Sequence, residues 1–319
     1  MHPQAWPADL PVTGQRVVVI GSGATAVTLV PALVAQGAAH VTMLQRSPTF
    51  IVAMPARDRV GAALHRHLPA RLADTLTRWK SIAYGIGSYT LARRRPGLVK
   101  RQIAKQQRVA LGETYDIAKH LTPRYNPWDE RLCLVPDGDL FAVLRGGRAS
   151  IVTDTIDRFT PDGIALTSGD ILPANLIVTA TGLQLKLMGG ATLSVDGRPI
   201  EPHNHLIYKG SMLSDVPNMA FATGYTNASW TLRSDLTARF VARLLDHLDA
   251  TGATTATPVP QAAEEVTTPI LDLKSGYIQR VAGRLPRQGN RVPWRVQQNY
   301  IRDALTMRRR LDDGVLRFR

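Results

Sequence analysis

A chain of 319 residues with a 44% apolar and 20% charged composition has enough nonpolar surface for a substantial core, which excludes disorder as the default and points to two lobes. Its one cysteine, Cys133, excludes an intramolecular disulfide, fits a reducing cytoplasm and reads as a small buried apolar residue rather than a nucleophile. The net charge of +14 comes without an aromatic RNP stripe or zinc-ligand spacing, so no nucleic acid and no metal is expected. A solvated basic face is the favoured reading, with clusters at Arg93, Arg94 and Arg95 and at Arg308, Arg309 and Arg310; peripheral attraction to an anionic membrane stays open. No apolar run approaches the roughly 20 residues of a spanning helix. No signal-peptide pattern is present either, so the expected place is the cytoplasm or at most a membrane surface.

The first element is a β-branched run at 17–20, the signature of a strand buried on both faces of a parallel sheet. Gly21, Ser22 and Gly23 turn the chain, residues 24–36 read as a helix closed by Gly37, and 40–44 as a second strand. Strand, helix and strand in about 30 residues make one right-handed crossover unit. Residues 57–120 change character, with many Arg, Leu and Ala at helical spacing. They read as a helical insertion whose apolar stretch at 82–91 packs on the main body, with membrane contact or a substrate channel as the lesser uses.

From Asn126 strand character returns. Alternation across turn signals at Pro161, Asp162 and Gly163 and at Ser168, Gly169 and Asp170 predicts a meander over 149–170. Another buried strand ends at Thr181 and Gly182. A hairpin at Val195, Asp196, Gly197 and Arg198 and a strand at 219–222 follow. A long helix over 234–248 then carries Leu236, Phe240, Leu244 and Leu248 on one face. Residues 250–260 read as a linker or surface loop, and 299–310 as a short helix.

The glycine turn ends in alanine, as Gly21, Gly23 and Ala26, and draws its weight from the strand before it and the helix after it. Gly21 permits the tight turn, Gly23 lets backbone approach a pyrophosphate, and Ala26 allows close packing. The amides of Ala24 and Thr25 open the helix toward the phosphates. A structural strand–helix turn is the competing reading. At the end of the second strand, where an NAD site places a carboxylate, the chain has Gln45, Arg46 and Ser47. Arginine with a serine hydroxyl suits a 2′-phosphate, so NADPH is expected over NADH, against the alternative of a plain surface charge at Arg46.

Longer segments carry a family resemblance. His2, Trp6 and Pro7 in "HPQAWP" match the second half of the linker fingerprint of Baeyer–Villiger monooxygenases, and "GSGATAVTLVPAL" with "QRSP" resembles their NADPH-binding half. "VTATG" resembles the turn by which flavin-containing monooxygenases return to their FAD domain. "NPWDERLCLVPDGDLF" and "PNMAFATGYTNASWTLRSDL" look like the subgroup that includes an ethionamide-activating monooxygenase. The resemblance runs over nearly the whole chain. It departs at the front, where the family's own FAD-binding strand–turn–helix and the Phe-x-Gly half of the fingerprint do not appear, so the expectation is a truncated chain or one paired with a missing N-terminal FAD-binding partner.

The implied fold is α/β: a Rossmann-like NADPH-binding domain with a helical insertion, plus the C-terminal part of an FAD-binding domain. The expected division is a linker remnant at 1–11, the NADPH-binding domain at 12–57 and 126–182, the insertion at 58–125 and the FAD part at 183–319. The implied activity uses NADP(H), FAD and dioxygen to convert a ketone to an ester or to oxygenate a sulfide or thioamide. By its place after the insertion, Arg131 takes the family's catalytic arginine role, with a surface ion pair to Asp129 or Glu130 as the alternative. Many members have a lysine where this chain has Glu130, which leaves the 2′-phosphate more dependent on Arg46. Thr181 and Gly182, Gly224 and Trp230 are expected beside cofactor, Trp230 being equally readable as core. The start of the helix at Ser234 could aim its dipole at the flavin edge that becomes negative on reduction. Two alternatives stand. One is a simple NADPH-dependent reductase, for which no convincing Tyr-x-x-x-Lys pair is present. The other is a non-catalytic NADP-binding remnant or partner subunit, which an exposed apolar face on that helix would favour.

Overall fold

A computed structural model describes residues 1–130, 132–261, 268–271 and 275–319, and it divides into two units, Met1–Leu183 and Gln184–Arg319. Unit 1 contains β1 (Arg16–Ile20), α1 (Ala24–Ala35), β2 (His40–Gln45), β3 (Ile51–Met54), α2 (Arg59–His67), α3 (Ala70–Arg94), α4 (Pro96–Leu111) and α5 (Ile117–Leu121). It continues with β4 (Cys133–Pro136), α6 (Asp139–Arg145), β5 (Ala149–Thr153), β6 (Ile156–Thr160), β7 (Gly163–Leu166), β8 (Ile171–Pro173) and β9 (Leu176–Thr179). The fold class is α/β, as expected. Four strands form a parallel sheet in the order β5-β2-β1-β9.

The pleat of β1 explains why an unbroken valine run suits it. Val17 and Val19 join Val27, Val30 and Leu33 of α1 and Leu140, Phe141 and Leu144 of α6 in one core. Val18 and Ile20 face the other way, onto Ile164, Leu166 and Leu172 of the antiparallel trio β6-β7-β8. Both sheet faces are therefore covered, and polar residues collect at the strand ends. The sequence expectation of one meander over 149–170 is corrected here. The first stretch, β5, pairs in parallel with β2, and the antiparallel meander is β6, β7 and β8.

The stretch 57–120 is helical, as α2 to α5. Asp58 caps α2 through Gly61 N at 2.9 Å, and Asp116 caps α5 through Lys119 N at 2.9 Å. Leu111, Ile117 and Leu121 enter the sheet's core, as do Leu140 and Phe141. The apolar stretch at 82–91 is split: Ile82 is buried, whereas Tyr84 and Leu91 are exposed.

Unit 2 contains β10 (Leu193–Val195), β11 (Arg198–Ile200), β12 (Ile207–Tyr208), β13 (Met212–Leu213), α7 (Trp230–Thr251), β14 (Ala256–Pro258), β15 (Thr268–Pro269), α8 (Gly276–Gln279), β16 (Arg287–Gln288), α9 (Tyr300–Arg308) and β17 (Leu316–Phe318). β10 and β11 form the hairpin expected around Asp196 and Gly197. The long helix begins at Trp230, four residues before the expected start, and Leu236, Phe240 and Leu244 are buried on one face. Two expectations fail. Residues 219–222 form no strand, the amide of Phe221 bonding instead to the Ser211 carbonyl at 2.8 Å. Within 250–260, β14 pairs with β17 rather than running as a surface loop.

This unit buries charge. Arg233 donates to Asp303 at 2.7 Å and to the Lys209 carbonyl at 3.0 Å, and the arginine and aspartate side chains are 1% and 5% exposed. Lys209 lies 3.2 Å from Asp313, which also accepts from the Tyr208 hydroxyl at 2.6 Å. Gly210 makes room for the arginine: a β-carbon there would collide with the Arg233 guanidinium.

Candidate functional site

The carboxyl ends of β1, β2, β5 and β9 open onto a cleft of about 440 Å³ in unit 1. Its walls include Gly21 and Ser22 from the first turn, Gln45, Arg46 and Ser47 from the end of β2, Asp154, Thr155 and Ile156 after β5, and Thr181 after β9. This is the crevice at the strand ends where open α/β sheets bind ligands.

The geometry of the turn follows from its glycines. Gly21 adopts φ 125°, and a β-carbon there would strike the Ala180 carbonyl, so only glycine fits between β1 and β9. A β-carbon on Gly23 would meet nothing within 4 Å, which leaves the backbone open on that side. Gly23 is the N-cap of α1 and supplies no side-chain cap, while Ala26 behind it is fully buried. The first-turn amides, including those of Ala24 and Thr25, thus lack a side-chain acceptor, and the helix dipole adds partial positive charge.

Ser22 behaves differently from a free ligand contact. Its hydroxyl bonds the Thr49 hydroxyl at 2.8 Å and donates to the Ser47 carbonyl at 3.2 Å, tying the first turn to the loop after β2. Behind it, the Cys133 thiol of β4 reaches toward the Ser22 carbonyl at 4.0 Å. Gln45 is 2% exposed, and its amide donates to the His120 carbonyl at 2.7 Å and the Thr153 hydroxyl at 2.9 Å. It therefore anchors the strand end from beneath. Thr153 also bonds His120 Nδ1 at 2.8 Å, and burial holds the pKa of that imidazole below its ordinary value. Arg46 and Ser47 are exposed, and among the described residues no ion pair holds Arg46.

Gly182 lies just beyond Thr181, and its carbonyl accepts from His2 Nε2 at 3.1 Å, so the N-terminal histidine is fixed within unit 1. Gly224 and Trp230 belong to unit 2, where they meet each other: a β-carbon on Gly224 would run into the Trp230 indole. Trp230 is 60% exposed, which overturns the reading of it as core. Ser229, the N-cap of α7, makes no side-chain cap bond. Arg131 lies outside the described residues.

Sequence reasoning missed Asp154. It follows β5, and its amide bonds the Gln45 carbonyl at 2.9 Å, which sets it beside Arg46 across the end of the sheet. Hydrogen bonds from the Ser168 hydroxyl, the Thr155 amide and the Thr167 hydroxyl hold its pKa down to about 2. Placing it requires the parallel pairing of β5 with β2, which no local sequence signal gives.

No family model matches the chain. It is 50% identical over 319 residues to the FAD-containing monooxygenase EthA of Mycobacterium tuberculosis, covering all of this chain and 65% of that protein. It is 48% identical over 319 residues to EthA of Mycolicibacterium smegmatis, again covering 100% of this chain and 65% of the relative. The chain thus spans just under two thirds of the length of these curated relatives. Among solved structures, an oxidized steroid monooxygenase bound to NADP superposes with a TM-score of 0.69 at 18% identity, covering 99% of this chain and 69% of that one. At that identity the likeness establishes a shared fold.

Proposed function

From the homology of the whole chain to FAD-containing monooxygenases, we propose that it carries the NADPH-binding part of a flavin-dependent monooxygenase of Baeyer–Villiger type, together with part of its flavin-binding region. The observation that carries this reading is the cleft itself. The turn residues Gly21 and Ser22, which lead directly into the uncapped helix N-terminus at Gly23, line one side of it, and a strand end bearing Arg46, without an ion-pair partner among the described residues, lines the other. These residues fit a phosphorylated dinucleotide: the first-turn amides of Ala24 and Thr25 would hold the pyrophosphate, and Arg46 with Ser47 the 2′-phosphate. Gly21 keeps the turn close to β9, while Ser22 and Gln45 fix the two walls rather than touch the cofactor through their side chains.

The chemistry that bound NADPH and FAD would supply is hydride transfer and dioxygen activation, for oxygenation of a ketone or of the sulfur of a sulfide or thioamide. Arg131 is the residue we assign to charge stabilisation at the reacting oxygen. In unit 2, the uncapped start of α7 would favour the edge of the flavin that gains negative charge, with Gly224 and Trp230 beside it. The apolar face of α7 is buried in its own unit, which supports a folded functional region over a misfolded remnant.

Contact with an anionic membrane surface is a second reading favoured by one observation. Leu72, Leu76 and Trp79 are exposed at helical spacing on α3, which also carries Arg71, Arg78, Lys80, Arg93 and Arg94 against the single acid Asp74. Among the described residues no helix is long and apolar enough to cross a membrane.

Calorimetric titration of the purified chain with NADPH and NADH tests the main reading. Tighter binding of NADPH is expected, with Arg46→Ala lowering NADPH affinity by about tenfold or more and leaving NADH nearly unchanged. An unaltered NADPH preference in that variant would defeat the assignment.

A further inference from the structure

We propose that Asp154 recognises the adenine end of the dinucleotide, accepting a hydrogen bond from its exocyclic 6-amino group. The inference rests on the dinucleotide reading of the cleft and adds a base-specificity determinant to it. It begins from an apparent contradiction: a cleft suited to phosphates also exposes a carboxylate. Among the described residues no cation pairs with Asp154 and no carboxylate pairs with Arg46, so the two charges do not cancel each other. An unneutralised carboxylate weakens binding of an anionic ligand unless the ligand turns a donor toward it.

The sheet order says which part of the ligand that is. Adjacent strand ends lie about 4.8 Å apart. The pyrophosphate belongs at the turn after β1, and the phosphorylated ribose at Arg46 and Ser47 after β2. Asp154 follows β5, one strand further out, where the base must lie. Ile156, half-buried, lines the same cleft and offers apolar surface to a ring. Of the groups on adenine's rim, the 6-amino group is the hydrogen-bond donor, and a carboxylate accepts only.

The carboxylate is also held in place. Asp154 Oδ1 accepts from the Thr155 amide at 2.6 Å and the Thr167 hydroxyl at 2.8 Å, two bonds that fix its rotamer before a ligand arrives. The hydroxyls and amide around it keep it ionised throughout the physiological range. A preorganised charged acceptor discriminates strongly against a ligand that replaces the donor with an acceptor.

The test compares NADPH with its reduced hypoxanthine analogue, in which a 6-oxo group replaces the amine, by titration calorimetry on the purified chain. Wild type is expected to bind NADPH about tenfold tighter or more. Asp154→Ala should bring the two ligands within about twofold, and Asp154→Asn, whose amide can donate to the 6-oxo group, should shift preference toward the analogue. The asparagine variant retains an acceptor for Thr155 and Thr167, so its circular dichroism spectrum at the titration temperature should match wild type, which separates a changed base preference from lost folding. Equal affinities in wild type, or equal loss of both ligands in both variants, would overturn the inference while leaving the cleft a dinucleotide site. A changed NADPH-to-NADH ratio with an unchanged base preference would also overturn it, assigning Asp154 to the ribose. No binding of either dinucleotide by wild type would overturn the dinucleotide reading and this inference together.

Discussion

The two units spend their charged residues in opposite ways. In unit 1 the interior of the sheet is apolar, and the ionic groups Arg46 and Asp154 stand at the strand ends, in an open cleft. In unit 2 the pair Arg233 and Asp303 lies inside the fold, with Lys209 also buried and its partner Asp313 partly covered. The first arrangement leaves charge available to a ligand and lets hydrophobic burial hold the scaffold. The second commits charge to architecture, joining α7, α9 and the turn after β12 through directional bonds.

Substitutions can break this contrast. The largest effect is expected from Asp303→Ala, which strands a buried guanidinium and should destabilise unit 2 by about 3–5 kcal/mol. Replacing both partners, as Arg233→Met with Asp303→Leu, should recover most of that loss in denaturant unfolding. Leu33→Ala, within the α1 face that packs on β1, should cost unit 1 about 2–5 kcal/mol by leaving a cavity, with no comparable rescue by a second substitution.

Acidification should sharpen the comparison with a smaller effect. Burial holds the pKa of His120 below its ordinary 6.5, so the unfolded chain binds the proton more readily. Stability of unit 1 should therefore decline as pH falls from about 6.5 through the folded value. Asp313 is raised by burial, but bonds from the Tyr208 hydroxyl and the Leu316 amide, with Lys209 nearby, carry it below the ordinary 3.8. Its contribution to unit 2 is present above that value and is lost as pH falls through the folded pKa. Limited proteolysis followed by mass spectrometry across pH 7 to about 3 should show unit 1 loosening first.

The same contrast governs what was legible in the sequence. The β1–α1–β2 unit was readable because its valine run, glycine turn and helical period are local signals, and Arg46 and Ser47 follow at a fixed place after β2. The pairing of β5 was not readable, since apolar alternation is the same whether a strand joins a parallel neighbour or an antiparallel one. Asp154 was lost with it. Arg233 carries no local sign of burial, since only partners 24 and 70 residues away make it interior. The stretch 219–222 has the composition of a strand, but the bond from the Phe221 amide to the Ser211 carbonyl is not continued into a ladder.

The thiol beneath the first turn makes unit 1 report on itself. Cys133 is the sole cysteine of the chain, 3% exposed, with its sulfur directed at the backbone of Ser22. A thiol-specific reagent can reach it only when the wall behind the cleft separates, so the alkylation rate is an internal clock for that opening, slowed by whatever grips the turn from the other side.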